Sequence, residues 1–155
     1  MLTLRSRKYN LIKIDETKHQ KMIDWKIASR KNSVDLPDDL YQKSLEIIDR
    51  FFVGFNFITV PAPSFHTYEN YPIWEIAQKI SSDLCLPLIK LFPNKTNKIV
   101  MSIDASIKKE VQKIELESGK FILVIDDLIT TGNTGKVTCE AICKKNSFPC
   151  FLSFA

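Results

Sequence analysis

Asp126 and Asp127 are adjacent carboxylates, and after Leu128 and Ile129 come Thr130, Thr131, Gly132, Asn133 and Thr134. Ionised carboxylates accept hydrogen bonds and repel anions, so an acid pair suits sugar hydroxyls or a hydrated divalent cation. The hydroxyl-rich turn suits the opposite chemistry. Thr130, Thr131 and Thr134 supply donors, and Gly132 permits a positive φ or close approach of a ligand. If a helix starts there, its unpartnered first-turn amides and its dipole add an attraction for anions. Together these residues describe a site for a ligand with hydroxyls at one end and a phosphate at the other.

Two elements must position them. Phe121 to Ile125 is an uninterrupted apolar run, the pattern of a strand buried on both faces of a parallel sheet. Behind the turn, Val137, Ala141 and Ile142 give a helix one buried side, Lys144 and Lys145 complement its C-terminal dipole, and Asn146 is its expected cap. Pro149 to Phe154 reads as a further buried strand, so strand, turn, helix and strand form one βαβ unit. A P-loop reading of Gly132-Asn133-Thr134-Gly135-Lys136 fails, because Thr130 stands where the first glycine is required and Val137 where Ser or Thr must follow the lysine.

The run from Ile122 to Thr134, four apolar residues, two acids, two apolar residues and Thr-Thr-Gly-x-Thr, resembles the phosphoribosyl pyrophosphate signature of the type I phosphoribosyltransferases. That resemblance implies an α/β fold, a mainly parallel sheet with helices on both faces and a small N-terminal hood. It implies that Asp126 and Asp127 are the catalytic acid pair, holding the ribose hydroxyls and meeting Mg²⁺ only through those hydroxyls or water. It assigns the 5′-phosphate to Thr130, Thr131, Gly132, Asn133 and Thr134. Val60-Pro61-Ala62-Pro63 is similar to the end of an early strand in the ComF-like, competence-associated subgroup, which places a pyrophosphate loop at 61–71 with Ser64, His66 and Thr67 as its candidate contacts. That loop lacks the basic residues of the subgroup. The resemblance also implies a lid in the interval 93–120, with Lys108 and Lys109 as candidate lid cations.

Composition sets bounds. A chain of 155 residues suits one domain, 1–155, with 1–35 as the hood or cover segment. Its 45% apolar and 26% charged residues are ordinary for a globular protein, and a net charge of +4 does not indicate nucleic acid as a partner. No membrane-span run and no signal peptide are read, so the expected location is cytoplasmic. Cys85, Cys139, Cys143 and Cys150 show no C-x-x-C spacing and read as packed thiols in a reducing compartment.

Along the chain, Tyr9 to Ile14 suggests an edge strand or hairpin, and Lys18 to Arg30 a helix or a loop-rich cover. Trp25 there has two readings, stacking on a base or packing in the core, and the second is the stronger expectation. Asp35 to Asp39 reads as a helix start; Leu40, Ser44, Ile47, Ile48, Phe51 and Phe52 continue that helix to Gly54. Phe55 to Val60 reads as a strand, Pro72 as the start of an amphipathic helix that Pro87 stops, and Leu88 to Phe92 as another short strand. Tyr71 and Trp74 stand at the entrance of that helix as a candidate aromatic wall. His66 is a solvated loop histidine or a phosphate contact. The segment from Ala105 to Leu116 is a lid or a surface helix stitched by opposite charges.

Two functions follow from the resemblance. One is a phosphoribosyltransferase using phosphoribosyl pyrophosphate, Mg²⁺ and a nitrogenous base, in a family whose members often form homodimers. The other is a binding module that senses phosphoribosyl pyrophosphate or a nucleotide and acts through a protein or DNA partner without chemistry.

Overall fold

The computed structural model describes residues 2–5, 9–29, 31–32, 34–52, 57–62, 72–89, 116–129 and 132–155. The apolar run that precedes the acid pair becomes an interior strand, β4 (Phe121–Asp126), as its lack of alternation requires. It pairs in parallel with β3 (Phe57–Pro61) on one side and β5 (Phe148–Ser153) on the other. β2 (Asn10–Lys13) runs parallel to β5, and β1 (Leu2–Arg5) closes an antiparallel hairpin onto β2. The sheet order is therefore β1-β2-β5-β4-β3. The expected hairpin forms, with β1 rather than the 9–14 segment at the edge.

Successive residues of a strand point to opposite faces, and the core divides accordingly. Leu123 and Ile125 of β4 join Leu152 and Phe154 under α1 (His19–Ser29), α2 (Asp38–Phe52) and α3 (Pro72–Asp83). Ile122 and Val124 join Phe151 under α4 (Asn133–Lys144), through Val137, Cys139 and Ile142. This is an α/β fold with a mainly parallel sheet and helices on both faces, the class expected from the sequence. The Cβ position of Gly135 lies only 3.0 Å from Leu11 and 3.3 Å from the Phe151 ring, so α4 sits against the sheet more closely than a larger residue allows.

Of the 18–30 segment, His19–Ser29 is helical, following a short 3-10 turn at Glu16–Lys18. Met22 and Trp25 point inward while Ile27 is exposed. The Trp25 indole N–H donates to the carbonyl of Val34 at 3.0 Å, so its polar handle is satisfied within the fold and the core reading holds. α3 starts at Pro72 as expected and stops at Asp83, ahead of Pro87, because Cys85 adopts a left-handed φ of 52° and the chain turns there. Leu88 then bridges Thr59 in parallel, beside β3; the remainder of the expected 88–92 strand lies outside the described residues. Asn146, at φ 56°, closes α4 and donates its N–H to the carbonyl of Cys143 at 2.9 Å. Among the described residues, no helix is long and apolar enough to cross a membrane.

Candidate functional site

The strand register brings the C-terminal ends of the parallel strands to one edge: Pro61 lies beside Ile125, and Asp126 and Lys13 both lie beside Ser153. In open parallel sheets this edge is where ligand crevices form. The turn after β4 is braced by the last residues of the chain. Ala155 donates its N–H to the carbonyl of Asp127 at 3.3 Å, and Ile129 donates to the carbonyl of Ala155 at 2.7 Å. The Ser153 hydroxyl donates to the same Ala155 carbonyl at 2.7 Å. Leu128 packs against the core under α1–α3 and Ile129 against the core under α4, so the two residues between the acids and the threonine turn anchor it to both faces.

Both acids are buried, Asp126 8% and Asp127 2% exposed. The Asp127 N–H donates to Asp126 Oδ1 at 2.8 Å, which orients the first carboxyl back over the strand end. Asp127 Oδ2 takes the Lys26 ammonium at 2.7 Å. Burial, and next the negative charge of Asp127, push the Asp126 carboxyl well above the usual carboxylate range; the Asp127 amide and the Lys26 charge pull against them. The acids thus differ in role. Asp127 is paired with a cation, and Asp126 is a desolvated carboxyl whose ionisation is opposed by burial and by the charge of Asp127.

Lys26 was not a candidate from the sequence, although a signal existed. It lies four residues after Met22 and next to Trp25, so it belongs to the inward side of α1, where a lysine needs an acidic partner. α1 packs on the face opposite α4, and the acid pair is therefore flanked by Lys26 from one side of the sheet and the start of α4 from the other.

That start has the backbone geometry an anion site needs. Gly132 precedes the helix at φ 78°, a left-handed conformation, and as the N-cap residue it brings no side-chain hydrogen bond to the first turn. The Lys136 N–H returns to the Gly132 carbonyl at 2.9 Å. Asn133 is exposed and Thr134 half-buried. The structure thus places Asp126, Asp127, Gly132, Asn133 and Thr134 in one strand–turn–helix unit. Thr130, Thr131, Ser64, His66, Thr67, Lys108, Lys109 and Tyr71 lie outside the described residues. Trp74 is half-buried against the core under α1–α3.

No protein-family model and no curated protein sequence matches the chain. Among solved structures, the chain is similar to an adenine phosphoribosyltransferase from Saccharomyces cerevisiae complexed with D-2,5-dideoxy-2,5-imino-altritol 1,6-bisphosphate and adenine. The match has 14% identity and a TM-score of 0.47, and covers 76% of this chain and 70% of that one.

Proposed function

We propose that this chain is a type I phosphoribosyltransferase-like protein that binds phosphoribosyl pyrophosphate and transfers its ribose 5-phosphate to a nitrogenous base or related acceptor. The observation that carries this reading is the juxtaposition of two buried carboxylates at the end of β4 with a left-handed glycine, Gly132, at the start of α4. The acids would accept from the ribose 2′ and 3′ hydroxyls, and the 130–134 turn would hold the 5′-phosphate by amides and hydroxyls.

The donor set bears on Mg²⁺. Among the described residues no three His, Cys, Asp or Glu side chains converge, and Asp127 is already paired with Lys26. This does not fit a protein-built cage, but it fits an ion held mainly by the ligand's own oxygens and reached by Asp126 and Asp127 through hydroxyls or water. When bound there, Mg²⁺ would offset charge on the departing diphosphate. The chain's own part is positional and electrostatic: fixing the ribose between the acids and the α4 start, with no nucleophile of its own required. Replacing both acids, Asp126→Asn with Asp127→Asn, keeps side-chain size and removes their charge. Calorimetry should then detect no binding of phosphoribosyl pyrophosphate; undiminished affinity would contradict the assignment.

A second reading, a sensor that binds the same donor without turnover, is favoured by the absence of Lys and Arg from residues 61–71. Pyrophosphate release with purine, pyrimidine or nicotinamide-type acceptors separates the two, since turnover with any of them rules out the pure sensor. The ComF-like affiliation and a homodimer belong to this same proposal and rest on the sequence resemblance; a cytoplasmic location belongs to it as well and rests on the apolar patterning of the sequence.

A further inference from the structure

We infer that Lys26 is a ligand-contacting residue of this site, which leaves Asp127 when phosphoribosyl pyrophosphate binds and takes up the diphosphate on the sugar's anomeric carbon. The inference rests on the proposed function and adds a residue to it. Its starting point is placement. The 5′-phosphate position at the start of α4 lies on one side of the sheet, and α1, which carries Lys26, packs on the other. A ribose spanning the acid pair carries its 5′-phosphate and its anomeric substituent at opposite ends of the ring. With the first at α4, the second points toward the α1 side.

Charge points the same way. A diphosphate brought beside two buried carboxylates needs a cation, and residues 61–71 contain neither Lys nor Arg. The Lys26 ammonium is already 2.7 Å from Asp127 Oδ2. The two partners are unequally confined: the side chain of Lys26 is 28% exposed and that of Asp127 3%. A lysine is a compact charge on a flexible four-carbon stem, so its head can turn to a neighbouring anion while α1 stays seated on Met22 and Trp25. Asp127 loses no hydrogen bonding in the exchange, because a ribose hydroxyl donates where the ammonium did.

Two ligands that differ only at the anomeric carbon test this. Phosphoribosyl pyrophosphate and ribose 5-phosphate are titrated calorimetrically, in one Mg²⁺ buffer, into the wild type, Lys26→Gln and Lys26→Arg. Glutamine can still donate to Asp127, which protects the fold, but it carries no charge. Lys26→Gln should weaken phosphoribosyl pyrophosphate about tenfold or more, as removal of one charge-assisted hydrogen bond does. Ribose 5-phosphate should weaken less than about threefold, with Lys26→Arg intermediate for the diphosphate ligand. Without any variant, the ε-methylene resonance of Lys26 in the wild type should shift with phosphoribosyl pyrophosphate and much less with ribose 5-phosphate. Equal losses for the two ligands, no loss, or equal resonance shifts would overturn the inference while leaving the proposed function standing. A wild type that binds neither ligand would overturn both.

Discussion

Asp126 is where the site and the stability of the fold conflict. Its carboxyl is raised by burial and by Asp127, whereas in the unfolded chain it titrates near its ordinary value of about 4. Above that pH the folded state holds a proton that the unfolded state has released. Stability therefore falls as pH rises from about 4 through the raised folded value, and the penalty is fully present beyond it. Asp126→Asn removes this titration and can still accept the Asp127 N–H. The substitution should raise the Tm on the neutral side by roughly 2–4 °C, the shift that about 1 kcal/mol produces in a domain of this size, and should flatten the pH dependence. Thermal melts between pH 4 and 8 check it; an Asn variant that melts below the wild type at neutral pH would contradict this account of Asp126. The same variant is expected to bind the donor poorly, the usual cost of stabilising a site that needs a buried carboxyl.

At the scale of elements, the strand–turn–helix unit was legible because every part of it is local. An apolar run without alternation announced a buried strand, and β4 occupies Phe121–Asp126. Small polar residues followed by helical spacing announced α4, and Asn146 closes it as expected. What sequence could not supply was the partner of Asp127. Lys26 and Asp127 meet only because α1 lies over the sheet edge, a tertiary fact with no short-range signature. The end of α3 differs from the sequence expectation for a related reason: a left-handed Cys85 turns the chain ahead of Pro87. The turn into α4 supplies its own test. Gly132 has φ 78° and, among the described residues, only Ile129 near its Cβ position, at 3.9 Å, so substitutions there meet backbone strain first. Gly132→Val should destabilise by about 1–2 kcal/mol, whereas Gly132→Asn, whose side chain tolerates the left-handed region, should cost distinctly less. Urea denaturation of the pair checks the order, and equal losses would argue that crowding governs the position.

For the molecule as a whole, the fold arranges its two sides as a clamp around one sheet edge. α1, α2 and α3 cover the face that carries Lys26 to the acids, and α4 covers the face that presents its own N-terminal turn. Residues 153–155 tie the turn after β4 to the end of β5 by hydrogen bonds, so the acids rest on the centre of the sheet. Pre-organisation of this kind favours a ligand that reaches both sides at once. The proposed seat of a ribose 5-phosphate across this edge is tested most directly by backbone amide NMR during titration with phosphoribosyl pyrophosphate and Mg²⁺. The amides of Asp126, Asp127 and residues 132–135 should shift together and saturate along one binding curve; saturating shifts confined to other residues, or none at all, would contradict it.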